Sequence, residues 1–355
     1  MWNLTTTPNT AGTSRNANTL LAVEPSRALP GGRLGVTGVH VPLPPEGLPH
    51  ALVGTSDARV VAASSRHVRI IVPADTEGGI LPVRIDECVG ATGWVHVGRT
   101  LASDVHMVDG PVFDREGRLY LTHSGSREAR PSVPLYRITR DGVKEALSIE
   151  IGNPTSLAVG PDGLVYVSSR FDGHVYRLQP GDRVERYATD LGVATGLAFS
   201  PDGDLFVGDR SGTIFRVRPD RQVESFATLP SSVAAFHLAF GPDGCLYVTA
   251  PTLATHDALY RITPDRLVDT VTEAFGRPQG LAFDRTGMLY VVDALAGSAG
   301  LFRVDIRTDS PVPELVVTAG ALIGVAFDPD GATVLSSNDT VWKLDGMLTD
   351  SVESA

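Results

Sequence analysis

The segment TGLAFSPDGDLFVGD, residues 195 to 209, is the one from which the fold can be predicted. Two short apolar runs, rich in aromatic and β-branched residues, flank a Pro-Asp-Gly sequence. Gly203 can adopt a positive φ, and the ring of Pro201 fixes the φ of that residue at about −65°. Both runs are too short for stable helices. We therefore predict a β-hairpin with its turn at residues 201–203.

The same pattern occurs six times along the chain. The copies begin at Asp109, Thr155, Thr195, Phe236, Gln279 and Ile323. All but the last continue into a third strand in which an aromatic residue precedes an arginine, as in Val175-Tyr176-Arg177-Leu178, and then into a weaker fourth strand. Periods of 40–50 residues are typical of propellers and solenoids. We predict an all-β protein with a six-bladed β-propeller over residues 99–346.

The third strands and the two ends of the repeat give further predictions. The aromatic residues are expected to pack between blades, and the neighbouring arginines to pair locally. The sixth copy ends at Val341–Leu344 without a fourth strand. An unpaired outer edge would frustrate closure of the ring. We therefore predict that residues 98–103, just before the first copy, supply the missing strand.

The residues before the propeller have a different pattern. Between residues 19 and 98, six or seven short apolar runs alternate with Pro/Gly turns, which predicts a small antiparallel β-sandwich. The segment Pro25–Gly32, followed by Val36-Thr37-Gly38, resembles the opening of an IPT/TIG immunoglobulin-like domain, and Val68–Pro73 and Gly78–Val83 resemble its later strands. The resemblance implies a spacer or interaction module. Residues 1–18 and 347–355 are predicted to be tails.

Composition narrows the classes of partner. The net charge of −11 argues against nucleic acid and anionic membranes, because both require basic surfaces. No run reaches the length of a membrane span, and the N-terminus lacks the features of a secretory signal, so a cytoplasmic location is expected if that N-terminus is native. The two cysteines, Cys88 and Cys245, fit no metal motif and are expected to be buried. A small molecule or a protein remains as the expected partner.

Strand direction assigns residues to the two mouths of the propeller channel. The first residues of the copies share one mouth with the loops that follow each second strand, whereas the Pro-Asp-Gly turns lie at the opposite mouth. The predicted pocket contains the ring residues Asp109, Thr155, Thr195, Phe236, Gln279 and Ile323, with His123, Arg170, Asp209, Arg210, His256 and Asp293 around them. His237 stands where most copies have glycine or serine, so it is a candidate base or ligand contact.

The repeat, with DGPVFDREGRLYLTH in its first copy, resembles the senescence-marker-protein/gluconolactonase superfamily and its NHL-repeat relatives over about residues 100–345. The resemblance implies a divalent cation, often calcium, held by oxygens at the strand starts, and hydrolysis of lactones. Asp109 takes the position of the family's glutamate, before an intact Gly-Pro. Thr155 and Thr195 replace asparagine, and Gln279 replaces aspartate. The implied metal ligands are Asp109, Thr155, Thr195 and Gln279, a weakly charged set for calcium.

Two functional hypotheses remain open at this point. One is a lactonase-type hydrolase in which Asp109 and His237 are the catalytic candidates. The other is a non-catalytic propeller that binds a ligand or protein at its mouth, with the N-terminal domain as a spacer. A propeller supports both kinds of function.

Overall fold

A computed structural model describes residues 21–346, apart from residues 39, 42, 87, 89, 90 and 125–132, together with residue 348. The described residues form 32 β-strands and no helix, so the all-β prediction is confirmed. No helix of the described part is long and apolar enough to cross a membrane. The predicted tail at residues 1–18 lies outside the described residues, as does the tail at 347–355 except for residue 348.

Eight strands precede the propeller. They are β1 (Ala22–Glu24), β2 (Arg27–Ala28), β3 (Arg33–Thr37), β4 (Ala51–Val53), β5 (Ser56–Ala63), β6 (His67–Ile71), β7 (Gly79–Ile85) and β8 (Gly93–Val97). Apart from β2, they pair antiparallel, and β5 pairs with both β4 and β6. Alternate residues such as Val36, Val68 and Val83 point inward and form one hydrophobic cluster. The immunoglobulin-like assignment is not confirmed by this pairing.

The repeat copies give the remaining strands. They are β9 (Arg99–Ala102), β10 (Val112–Phe113), β11 (Leu119–Thr122), β12 (Leu135–Ile138), β13 (Lys144–Leu147), β14 (Pro154–Val159), β15 (Val165–Ser169), β16 (His174–Gln179), β17 (Arg183–Ala188), β18 (Ala194–Phe199), β19 (Leu205–Asp209), β20 (Thr213–Val217), β21 (Val223–Thr228), β22 (His237–Phe240), β23 (Leu246–Thr249), β24 (Asp257–Ile262), β25 (Val268–Phe275), β26 (Pro278–Phe283), β27 (Leu289–Asp293), β28 (Gly300–Val304), β29 (Glu314–Thr318), β30 (Gly324–Phe327), β31 (Thr333–Ser336) and β32 (Val341–Leu344).

These strands form a β-propeller. Five separate sheets have four strands each: β10–β13, β14–β17, β18–β21, β22–β25, and β30–β32 with β9. Strands β26–β29 pair with one another in the same antiparallel order, but they belong to a 12-stranded sheet that continues through β2 into the N-terminal strands. The propeller prediction is confirmed. Six separate blades are not confirmed, because the separate four-stranded sheets number five.

The local predictions for the repeat are confirmed. Gly203 has a φ of 91°, and its N–H donates to the Ser200 carbonyl at 3.0 Å, which closes the turn. Among the third-strand arginines, Arg177 Nη2 lies 2.6 Å from Glu185 Oε2. The Phe302 ring packs edge-on against Phe275 of the preceding copy, with centroids 5.9 Å apart.

The predicted closing strand is also confirmed. Strand β9 pairs antiparallel with β32, in the register Val341 to Ala102, Trp342 to Thr100 and Lys343 to Arg99. The first described residues of the propeller therefore complete its last sheet. The outer edge of β32 is paired, so the two ends of the propeller are held together.

The joint between the N-terminal strands and the propeller could not be predicted from the sequence. Strand β2 lies parallel to both β8 and β29, and Ala28 pairs with Val97 on one side and Thr318 on the other. The backbones are close here, because a Cβ on Gly32 would lie 2.6 Å from the Thr318 carbonyl oxygen. Leu29, fully buried, packs into a propeller cluster with Tyr290 and Leu344. Sheet pairing and core packing both cross the joint.

Candidate functional site

The mouth at which the copies begin contains a cavity of about 360 Å³. Residues at three equivalent positions of the aligned copies, each set forming one row, supply most of its wall. These rows are the ring residues, the residues two positions before them and the residues fifteen positions after them. No residue of a Pro-Asp-Gly turn is part of the lining. Strand starts and second-strand loops therefore share one mouth, as the direction of the strands requires.

The structure brings part of the predicted set to this cavity. The predicted residues in the lining are Thr155, Thr195, Gln279, Ile323, Arg170 and Arg210. Phe236 lies elsewhere: its side chain is fully buried in a hydrophobic cluster with Ile214 and Leu238. Gly208 leaves the room for it, since a Cβ there would lie 2.6 Å from the Phe236 Cβ.

Asp109, His237 and Gln279 form a connected polar chain. His237 Nδ1 lies 2.6 Å from Asp109 Oδ1, and His237 Nε2 lies 3.3 Å from Gln279 Oε1. The Gly110 N–H also donates to Asp109 Oδ1, at 2.7 Å. The His237 side chain is only 1% exposed and that of Asp109 12%. Gln279 also lines the cavity. This series of hydrogen-bonded side chains therefore connects the cavity with the buried carboxylate of Asp109.

The repeat explains why only one copy can make this contact. The position after the ring residue is glycine in four copies, where neighbouring first strands approach closely. A Cβ on Gly324, for example, would lie 2.2 Å from the Gly110 Cα. His237 begins β22 at this position, and its imidazole reaches Asp109, which precedes β10 in the first copy. The contact therefore joins two copies that are far apart in sequence.

The four implied metal ligands already have partners within the protein. The Thr195 hydroxyl donates to the Gly208 carbonyl at 2.9 Å and accepts from the Phe236 N–H at 3.1 Å. The Thr155 hydroxyl donates to the Asn153 carbonyl at 3.3 Å. Calcium takes six to eight oxygens and prefers charged ones, so this arrangement does not fit the ion. The described residues contain no group of three or more His, Cys, Asp or Glu placed to hold a metal. The calcium site stays a prediction.

The acidic loop residues of the predicted set hold the loops in place. Asp209 Oδ1 accepts from the Val193 N–H at 2.8 Å, and Asp209 also accepts from the Ser211 hydroxyl. Asp293 accepts from the N–H groups of Gly276 at 2.9 Å and Arg277 at 2.7 Å. Both carboxylates are buried and bound to loop amides. Neither is part of the cavity wall.

The two loop histidines also lie outside the lining. The His123 ring stacks on Tyr136 with centroids 5.8 Å apart. Burial lowers the pKa of His123, and the nearby His106 and Lys144 lower it further. His256 is exposed on the loop before β24.

The sequence prediction missed Arg277. This residue directly precedes β26 and lines the cavity with Arg170 and Arg210. It stands two positions before the ring residue Gln279, and in the other copies that position holds Met107, Asn153, Val193, Ala234 and Ala321. Arg277 is the one charged residue in this row. Alignment of the copies therefore shows Arg277 as the exception at the position two residues before the ring.

No protein-family model matches the chain, and no curated protein matches its sequence. Solved structures do match. A gluconolactonase from Xanthomonas campestris is 17% identical with a TM-score of 0.57, covering 69% of this chain and 88% of its own. Virginiamycin B lyase from Staphylococcus aureus is 13% identical with a TM-score of 0.54, covering 69% and 97%. An auxiliary nutrient binding protein from Bacteroides ovatus is 14% identical with a TM-score of 0.54, covering 92% and 98%.

At these identities the similarity shows the fold alone. The first two structures match over a length close to that of the propeller. The third match extends into the residues before the propeller, because residues 99–355 make up less than three quarters of the chain. The three neighbours are described as a lactonase, a lyase and a binding protein, so the fold admits both catalysis and binding.

Proposed function

We propose that this protein is a small-molecule-binding propeller whose ligand occupies the cavity at the strand-start mouth. The observation that carries the proposal is the cavity of about 360 Å³, whose wall comes from equivalent rows of several copies. That volume is within the usual range for ligand sites, roughly 300–1,000 Å³. The wall combines aliphatic side chains with polar ones, which include Thr155, Gln279 and three arginines. An apolar wall with a limited set of polar groups is typical of small-molecule sites.

The fold-level proposals follow from the same repeat. We infer that β26–β29 act as the sixth blade, which makes the propeller six-bladed and similar to the gluconolactonase and NHL-repeat propellers. The first strands of the six copies contact one another in a closed series, β10, β14, β18, β22, β26 and β30, which supports this inference. We propose that the N-terminal strands are an IPT/TIG-like spacer. The expected partner is a small molecule, with neither nucleic acid nor membrane involved.

A binding experiment with defined probes tests the main proposal. Saturation-transfer NMR with benzoate, benzamide, phenyl phosphate and δ-valerolactone should detect at least one bound probe. Ala321 lies at the exposed rim of the cavity, so Ala321→Phe should fill the space and abolish the signal. Ala62→Phe places the same side chain on an exposed position of β5 and should leave binding unchanged. Binding that survives Ala321→Phe would locate the ligand elsewhere.

A second candidate is a lactonase-type hydrolase without a metal, favoured by the 2.6 Å contact between Asp109 and His237. A carboxylate that orients an imidazole is a common general-base arrangement. His237 Nε2 would accept a proton from water while the hydroxide adds to the lactone carbonyl carbon, and the ring oxygen would leave and take up a proton. Gln279 covers Nε2 and would have to turn away first.

Hydrolysis of δ-valerolactone, followed by base consumption at constant pH, tests this candidate. A true activity should be lost in His237→Gln and should change in Gln279→Ala, because the latter uncovers Nε2. Thermal unfolding of each variant separates a chemical effect from loss of the fold. No hydrolysis above the buffer rate, in a protein that binds a probe at the mouth, would leave the binding function as the better account.

A further inference from the structure

We propose that the cavity selects an organic anion, a carboxylate or phosphate on an apolar body, and that Arg210 and Arg277 hold its charged group. This inference rests on the proposed function and names the class of ligand. Arg210 follows β19 and Arg277 precedes β26, and both line the cavity; Arg170, which follows β15, lines it as well. The lining contains three arginines and no aspartate or glutamate.

The two arginines hold charge available for a ligand. Arg210 Nε lies 3.3 Å from the Ser232 carbonyl oxygen, which anchors the side chain by one nitrogen. Within the described part of the chain, no carboxylate lies within ion-pair distance of Arg210 or Arg277. Third-strand arginines differ in this respect, since Arg303 Nη2 lies 2.5 Å from Glu314 Oε2. Arg210 and Arg277 thus differ from third-strand arginines such as Arg303, which have an internal counter-charge.

Three aspartates of the strand-start mouth hydrogen-bond to groups other than the cavity arginine side chains. Asp209 is adjacent to Arg210 in sequence but accepts from the Val193 N–H and the Ser211 hydroxyl. Asp293 accepts from three loop amides, including that of Arg277 itself at 2.7 Å. Asp109 is paired with His237. The side chains of the cavity wall are therefore cationic without an acidic residue among them, in a chain whose net charge is −11.

The chemistry of the wall specifies the ligand further. A guanidinium presents several N–H donors in a planar fork that matches the oxygens of a carboxylate or phosphate. The rest of the wall is mainly aliphatic, including Met107, Val233 and Leu322. A small hydrated ion would leave these carbons in contact with water. An anion with an apolar body satisfies both parts of the wall.

Matched probes test the charge requirement. Benzoate and benzamide have nearly the same shape, and they differ in charge. Isothermal titration calorimetry should show benzoate binding at least roughly tenfold more tightly than benzamide, the ratio expected for a hydrogen bond to a charged group. Phenyl phosphate in a parallel titration distinguishes a phosphate ligand from a carboxylate ligand. Benzoate affinity should fall as sodium chloride is raised.

Charge-removing variants locate the effect. Arg210→Gln and Arg277→Gln should each weaken benzoate binding by roughly tenfold and leave benzamide binding unchanged. Arg66→Gln removes one positive charge from an exposed position before β6 and should change neither affinity. If Arg210→Gln is poorly folded, Arg277→Gln still tests the proposal. Arg277 is exposed, and the hydrogen bond that holds its loop comes from the backbone N–H, which the substitution keeps.

The outcomes separate this inference from the proposed function. Equal binding of benzoate and benzamide, lost in Ala321→Phe, would overturn the anion inference and keep the binding site. Benzoate binding that is unaffected by both arginine variants would also overturn it. If no probe binds at the mouth, the proposed function itself fails, and the anion inference fails with it.

Discussion

Asp109 Oδ1 lies 2.6 Å from His237 Nδ1, although 128 residues separate the two in sequence. The contact joins the start of the first repeat copy to the start of the fourth, beneath a cavity that Gln279 lines. The family resemblance implies a cation held by Asp109; in the structure the Asp109 carboxylate contacts the His237 imidazole.

The first prediction concerns the energy of this pair. Asp109→Ala and His237→Ala should each lower the free energy of unfolding by about 3 kcal/mol, because each leaves a buried polar partner unsatisfied. Urea unfolding of both single variants and the double variant gives the coupling energy, which should be at least about 1 kcal/mol. His67→Ala, at an exposed histidine, should change stability by less than about 0.5 kcal/mol. Additive effects would show that the contact contributes nothing.

Added calcium should leave the melting temperature unchanged. The hydroxyls of Thr155 and Thr195 and the carboxylate of Asp109 already have protein partners, and only one of the four implied ligands is charged. At a calcium concentration 100 times the Kd, a bound site would raise the free energy of unfolding by about 2.7 kcal/mol, which corresponds to a rise in Tm of several degrees. Thermal unfolding in calcium chloride and in EGTA measures the difference. A rise in Tm that Asp109→Ala abolishes would re-establish the metal site.

The repeat made most of the fold predictable, because each local feature is written several times. The turn at Gly203, the local pairing of the third-strand arginines and the closing strand β9 all follow from rules of local conformation and edge pairing. The parallel pairing of Ala28 with Thr318 did not follow. It joins two segments nearly 300 residues apart, and a two-residue strand has no periodicity to detect.

The candidate site was less predictable than the fold, for a related reason. Alignment of the copies identifies which residues stand at the mouth, and it led to Arg210 and Gln279. Side-chain direction depends on packing between copies, so Phe236 turned into the core although it is a ring residue. The contact between Asp109 and His237 depends on the glycines that let the first strands approach, which is a three-dimensional property.

The joint between the N-terminal strands and the propeller should contribute to stability. Leu29 is fully buried among propeller residues, including Leu344, so Leu29→Ala should lower the free energy of unfolding by about 2–5 kcal/mol. Leu253 is 91% exposed, and Leu253→Ala should change it by less than about 0.5 kcal/mol. Urea unfolding followed by tryptophan fluorescence measures both. If Leu29→Ala left the free energy of unfolding unchanged, packing of the N-terminal strands against the propeller would contribute little to stability.

Acid should weaken the propeller through Glu185. Arg177, Arg221 and Gln179 all donate hydrogen bonds to this carboxylate, and they lower its pKa from 4.5 to about 2. Because the pKa is lower in the folded state, the stabilisation is complete above the ordinary pKa and is lost as the pH falls towards 2. Glu185→Gln should therefore unfold at lower urea concentration than the parent at pH 7. This difference should shrink between pH 4.5 and about 2. Glu46→Gln, at an exposed position, is the matched control and should show a small difference at every pH. A Glu185→Gln difference that is the same at pH 7 and near pH 2 would assign the effect of Glu185 to packing instead of charge.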